Sequence, residues 1–267
     1  MKVGITTASL FNRLPNEDAL KLLNEWEIPT AEVFLTSYRE YKKSFGEILQ
    51  KEKGKTSIHS VHVLNTQFEP QLFSDNERVK EDSFDWLDQA MTVGEMLGAK
   101  YYTFHGIARY KKATRSGRND DFSKLAKGLC EIDEFCQSRH GIALSLENVE
   151  WALAHRPIFF EKIHAYLPHL HTVFDCKQAR ISGYDTAEYL RVMKNVSHAH
   201  LSDVDERGQV CLPGKGKTDF KQLLFRLKET GFDGPILIEV YKDNYGDLIE
   251  LKNACEFLEE LIYKYSL

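Results

Sequence analysis

The feature that most constrains this chain is an alternation between two kinds of segment. Short runs rich in β-branched and aromatic residues take turns with longer runs whose apolar residues recur at helical spacing, the pattern of successive βαβ units. The strand-like runs are Val3–Thr6, Ala31–Leu35, Ser57–Val63, Tyr101–His105, Ala143–Glu147, Thr172–Asp175, Val196–Leu201 and Ile236–Val240. Residues 77–97 place Val79, Phe84, Leu87, Met91 and Leu97 on a helical stripe, with Gly98 as a C-terminal cap. Residues 121–139, 219–231 and 247–265 read in the same way, the last with Leu248, Leu251, Cys255, Leu258 and Ile262 on one face.

Eight strands with eight helices between and after them predict a (β/α)8 TIM barrel, a single α/β domain over residues 1–267. A doubly wound open sheet would carry a Gly-rich phosphate loop after its first strand, and Thr6-Thr7-Ala8-Ser9-Leu10 stands there instead. A net charge of −5 gives no sign of a nucleic-acid surface. The cysteines, Cys130, Cys136, Cys176, Cys211 and Cys255, are odd in number and form no CxxC pair, so they read as free thiols of a cytoplasmic protein. No signal peptide and no apolar run of the roughly 20 residues that span a bilayer is found, so a soluble protein without a membrane partner is expected.

Active sites of such barrels lie at the C-terminal ends of the strands. Four successive strand-like runs end on polar residues: Ala-Leu-Ser-Leu-Glu at Glu147, Thr-Val-Phe-Asp at Asp175, Ser-His-Ala-His-Leu near His200, and Pro-Ile-Leu-Ile-Glu at Glu239. Alternation along a strand lets each face the barrel axis while its apolar neighbours face the helices. Three carboxylates buried together repel strongly unless a cation lies among them. Three oxygens and one nitrogen suit a divalent metal: Mn²⁺ or Zn²⁺ foremost, with Co²⁺ and Mg²⁺ also compatible. His59 and His105 read either as ligands of a second metal, with Glu147 bridging, or as substrate-contacting or core histidines. By strand parity His62 should point at the helix layer, and His198 should be a satisfied interior residue one layer below His200.

The ordered set Ile-His-Ser-Val-His (58–62), Phe-His-Gly (104–106), Leu-Glu-Asn-Val (146–149), Phe-Asp (174–175), His-Leu-Ser-Asp (200–203), Leu-Pro-Gly-Lys-Gly (212–216) and Ile-Glu-Val (238–240) resembles the xylose isomerase-like barrel superfamily. This superfamily includes sugar-phosphate isomerases and epimerases, ketose 3-epimerases, inosose dehydratases and endonuclease IV. The resemblance implies that Glu147, Asp175, His200 and Glu239 ligate one divalent metal, and that Glu147 and Glu239 also act as acid and base. The implied activity is isomerisation or epimerisation of a sugar, sugar phosphate or polyol by proton transfer through a metal-stabilised enediolate.

In endonuclease IV the counterparts of His59, His105 and Glu147 hold a further zinc. The pattern Asp-x-x-His after strand six reads Asp175-Cys176-Lys177-Gln178 here, however, and Gly-Gln-Val-Cys fills 208–211 where another ligand pair would stand. A trinuclear centre is therefore not expected, although a zinc phosphodiesterase acting on abasic DNA is the rival enzyme. A sugar-binding barrel without catalysis is the rival of another class. Gln178 takes the place of a sugar-contacting histidine of the family. Trp151 and Phe68 are candidates to cover the sugar. Arg109 opens a basic run, residues 109–118, that reads either as a phosphate-attracting loop or as solvated charge. Lys215 and Lys217 read as turn residues. The oligomeric state is not legible in the sequence.

Overall fold

Parallel strands that each return through a helix have their backbone groups paired on both sides only if the sheet is continuous, and here it closes on itself. The computed structural model describes residues 1–64, 68–109 and 121–267. The barrel strands are β1 (Val3–Thr6), β2 (Thr30–Leu35), β3 (Ser57–Val63), β4 (Tyr101–Phe104), β5 (Ala143–Glu147), β6 (His171–Asp175) and β7 (Val196–Leu201). A two-stranded antiparallel hairpin, β8 (Asp203–Val204) and β9 (Val210–Cys211), precedes the last barrel strand, β10 (Ile236–Ile238). The barrel order is β1-β10-β7-β6-β5-β4-β3-β2, all parallel, so the expected (β/α)8 TIM barrel is the fold observed. The hairpin was not foreseen. The last strand ends at Ile238 rather than Val240, although the Glu239 N–H still donates to the Leu201 carbonyl.

The surrounding helices are α1 (Asn16–Glu25), α2 (Lys43–Glu52), α3 (Glu77–Leu97), α4 (Phe122–His140), α5 (Pro157–Tyr166), α6 (Cys176–Ile181), α7 (Thr186–Val192), α8 (Phe220–Glu229) and α9 (Ile249–Tyr265). The described residues therefore hold one α-helix more than expected, because the β6–β7 connection is split at Gly183, whose φ of 81° breaks the helical run. Leu87, Met91 and Leu97 of α3 are buried as their spacing predicts, and Gly98 caps the helix with φ 78°. Val79, counted on the same stripe, is 37 % exposed. No helix among the described residues is long and apolar enough to cross a membrane. All five cysteines are free.

Two register irregularities decide which side chains enter the barrel. Ala31 pairs with Ile58 but Glu32 pairs with Ser60, leaving His59 as an extra residue of β3. Likewise Thr172 pairs with Val196 but Val173 pairs with His198, leaving Ser197 extra in β7. An extra residue shifts the alternation by one, so side chains on either side of it can share a face. His59 consequently sits low in the barrel, its Nε2 3.2 Å from the Ser197 carbonyl and its ring against Tyr101, so the core reading is the one observed and the place at the strand ends is not. His62 corrects the parity argument in the opposite sense. It points inward, with Nδ1 2.8 Å from Glu32 Oε1.

Two predictions test this packing. A Cβ on Gly4 of β1 would lie 2.1 Å from the Thr30 carbonyl oxygen and 2.7 Å from the Thr30 methyl. Gly4→Ala should therefore cost about 1–3 kcal/mol or more in a urea titration, as overpacking does; a loss under about 0.5 kcal/mol would contradict that close approach. His59 is the second case. Burial, with His198 beside it, pushes its pKa down to about 3, below the unfolded value of about 6.5. The neutral ring's contribution is complete above pH 6.5 and is lost as pH falls towards 3. His59→Asn should flatten the decline of the urea midpoint between pH 6.5 and pH 4, and parallel declines in the two proteins would refute the placement.

Candidate metal centre and active site

The four polar residues that end successive barrel strands come together. Glu147, Asp175, His200 and Glu239 each offer one ligand atom, and all four atoms lie within 4.8 Å of one another. His200 Nδ1 is the centre of the group, 3.1 Å from Glu147 Oε1, 3.0 Å from Glu239 Oε2 and 3.9 Å from Asp175 Oδ2. Glu147, Asp175 and His200 are buried, and the Glu239 side chain is 11 % exposed.

Local structure divides the oxygens of Asp175 between two tasks. Its Oδ1 accepts the Gln178 N–H at 2.8 Å and so caps the short helix α6. Its backbone is clamped by Asn148, which receives the Asp175 N–H at 2.7 Å and donates its amide to the Asp175 carbonyl at 2.9 Å. Oδ2 is left for the cluster. Among the described residues, buried Asp175 Oδ2 and Glu239 Oε2 have no hydrogen-bond partner. The single Nδ1 of His200 is hydrogen-bonded to Glu147 and cannot serve Glu239 as well. Two orphaned carboxylate oxygens facing a third carboxylate and an imidazole nitrogen form a donor set that fits a divalent ion.

Below this cluster lies a hub that sequence reasoning missed. Glu32 is fully buried. Its Oε2 accepts the Ser60 hydroxyl at 2.7 Å and the Thr103 hydroxyl, and lies 3.2 Å from His198 Nε2. Its Oε1 meets His62 at 2.8 Å and His200 Nε2 at 3.1 Å. Glu32 Oε1 therefore lies beside Nε2 of His200 while Nδ1 faces the cluster, a close charge contact in which Nε2 has no hydrogen-bond partner among the described residues. Burial works against its charge, but His200, His62 and His198 hold its carboxyl well below the usual range. His198 is the satisfied interior residue its sequence position predicts, its Nδ1 2.9 Å from the Ser197 hydroxyl. A Glu inside the apolar run Thr-Ala-Glu-Val-Phe-Leu was the available signal for this hub.

His105 does reach the mouth. Its Nδ1 is 2.9 Å from Glu69, which also accepts the Tyr102 hydroxyl at 2.6 Å, and its Nε2 is 3.6 Å from Glu147 Oε2. Burial opposes a charged ring, but Glu69 and then Glu147 carry its pKa up to about 9. The histidine beside it is His62, with ring centroids 5.2 Å apart, not His59. Trp151 stands over His105 at 5.7 Å between ring centroids. Phe68, expected to cover a substrate, is instead buried against Tyr41 and Trp86. Gln178 turns its side-chain oxygen to the Glu150 N–H at 3.0 Å, and Arg109 pairs with the Glu150 carboxylate, so both hold the loop that carries Trp151. The remainder of the basic run, residues 110–118, lies outside the described residues. Lys215 and Lys217 belong to a turn gathered by Asp203, which accepts the N–H groups of Gly214, Gly216 and Thr218.

The second residue missed is Lys177, placed in the first turn of α6 by the Asp175 cap. Its ammonium lies 2.7 Å from Glu239 Oε1 and 3.6 Å from Asp175 Oδ2, with the side chain 1 % exposed. Burial raises the pKa of Glu239, but Lys177 and His200 outweigh it and hold it at about 2. Asp175 goes the other way: burial pushes it up to about 6 against the pull of Lys177. His200 is held well above its ordinary value by Glu239 and Glu32 in spite of burial. The cluster thus holds its own repulsion in check with borrowed protons and one ammonium.

Comparison with known proteins gives the family of the fold. The chain is 21% identical to L-ribulose-5-phosphate 3-epimerase UlaE of Shigella flexneri serotype 5b (strain 8401), over 72% of this chain and 68% of that protein. A solved D-tagatose 3-epimerase-like protein superposes with a TM-score of 0.79 at 21% identity, covering 100% of both chains. The IOLI protein with a bound zinc atom superposes with a TM-score of 0.76 at 16% identity over 99% of both chains. D-psicose 3-epimerase in the presence of D-fructose gives 0.74 at 12% identity, over 98% of this chain and 97% of that one. The model of the xylose isomerase-like TIM barrel family matches residues 20–261, and with the closed barrel and its strand-end cluster described, the chain belongs to that family.

Proposed function

We propose that this protein is a divalent-metal-dependent epimerase or isomerase of a ketose or ketose phosphate. The observation that carries the reading is the strand-end cluster, in which Asp175 Oδ2 and Glu239 Oε2 are buried without hydrogen-bond partners among the described residues, beside Glu147 and His200 Nδ1. Glu147, Asp175, His200 and Glu239 would hold the metal. When bound, it would polarise the sugar carbonyl and offset the charge of an enediolate.

The remaining roles fall to the chain's own side chains. Glu147 and Glu239 approach His200 Nδ1 at 3.1 and 3.0 Å, which places two carboxylates over one small volume. One removes the proton from the carbon next to the carbonyl, and the other returns a proton to that carbon. His105, held by Glu69, stands 3.6 Å from Glu147 Oε2 and stabilises that carboxylate as an anion. Trp151, held in place with its loop by the contacts of Gln178 and Arg109 to Glu150, shields the sugar from water. The similarity to UlaE, whose name gives L-ribulose 5-phosphate as substrate, puts that compound first in a substrate panel. D-Tagatose, D-psicose and D-fructose follow from the structural neighbours.

The test is turnover of that panel in D2O, where each epimerisation should leave one carbon-bound deuterium at the inverted centre. Dialysis against EDTA should abolish activity, and Mn²⁺ or Zn²⁺ should restore it. Glu147→Gln and Glu239→Gln should each lower kcat by about 10²–10⁴, the usual worth of a positioned acid or base, while the circular dichroism spectrum is retained. Full turnover in metal-free enzyme, or in either variant, would overturn the reading. Incision of abasic-site duplex with Zn²⁺, run in parallel, would favour the phosphodiesterase instead.

A further inference from the structure

Lysine is almost never fully buried unless paired, and Lys177 is paired with two of the carboxylates that a metal would use, through the Glu239 oxygen opposite the orphaned Oε2 and, at longer range, through Asp175 Oδ2. Its ammonium is 2.7 Å from Glu239 Oε1 and 3.6 Å from Asp175 Oδ2. The ammonium also lies over the face of Tyr241, 4.6 Å from Nζ to ring centroid. Tyr241 is 53 % exposed, so this perch opens toward the barrel mouth. A flexible four-carbon stem lets the ammonium move outward along that ring without disturbing α6.

We propose that Lys177 is a tethered cation that competes with the divalent ion for the acid cluster, so that metal enters as the ammonium leaves Glu239. The inference rests on the reading that Glu147, Asp175, His200 and Glu239 form a metal site. An ion bonded to Asp175 Oδ2 lies no farther than about 6 Å from the ammonium's present position, being 3.6 Å plus a metal–oxygen bond of about 2 Å. At that separation, inside a buried site, a dication and an ammonium repel strongly. The same ammonium helps to hold the cluster together without an ion, because without it Glu239, Asp175 and Glu147 would be offset only by His200 and, at Glu147, by His105. Lys177 therefore stabilises the metal-free protein and weakens the metal complex. A lysine serving only as a structural ion pair would stabilise both.

The experiment is calorimetric titration of metal-free protein with Mn²⁺, comparing wild type with K177M and K177R, alongside thermal melts without and with Mn²⁺. K177M should bind Mn²⁺ at least tenfold more tightly than wild type, and K177R should not. Without metal K177M should melt below wild type; with saturating Mn²⁺ it should melt at or above it. Equal or weaker Mn²⁺ binding by K177M overturns the proposal. Binding by K177M alone upholds the competition but removes the metal-dependent reading of the natural protein. Binding by neither overturns both. Should K177M not fold without metal, K177Q replaces it; if neither folds, recovery of the fold on adding Mn²⁺ is the expected result, and failure to recover counts against the proposal.

Discussion

Mutual repulsion among buried acids is the constraint around which the rest of this molecule is arranged. Glu32, Glu69, Glu147, Asp175 and Glu239 all project into or beside the C-terminal half of the barrel, where little or no water reaches them. Each must be answered by a proton, a hydrogen bond or a cation. Glu32 is answered by two hydroxyls and three imidazoles, and Glu69 by Tyr102 and His105. The upper three are answered less completely, and their two orphaned oxygens mark the place where the fold holds polar capacity in reserve.

The barrel makes such a concentration feasible. Parallel strands bring their ends to one mouth, and each strand there contributes a side chain whose backbone is fixed by ladder hydrogen bonds on both sides. Precision is added locally. Asn148 grips the backbone of Asp175, the helix cap commits one of its oxygens, and Glu32 orients His200 from beneath. Asp175 is thus positioned by hydrogen bonds, and His200 by a charge contact, that do not depend on an ion, as preorganisation for a metal requires.

The chain belongs to the xylose isomerase-like TIM barrel family. The first turn of α6 is equally informative. Gln178 spends its amide oxygen on the Glu150 backbone, and Lys177 next to it reaches into the cluster. One turn of helix after β6 therefore sets part of the charge balance at the barrel mouth.

Much of this was legible before any coordinates. Strand and helix periodicities are properties of contiguous residues, so the alternation of segments was enough to define the barrel, and the position of a polar residue at the end of an apolar run was enough to name Glu147, Asp175, His200 and Glu239. The side chains misplaced or missed share one cause. Strand parity is local only while pairing is regular, and the extra residues at His59 and Ser197 are set by how β3 and β7 meet their neighbours. Parity alone therefore left a place at the mouth open to His59 and sent His62 to the helices, whereas the structure keeps His59 low in the barrel and turns His62 inward. Lys177 and Glu239 are 62 residues apart, and their contact exists only once the barrel has closed. The sequence by itself determined which elements form and which residues end them; tertiary pairing decided which of those residues share a volume, because distance and burial are properties of the closed sheet and not of the chain.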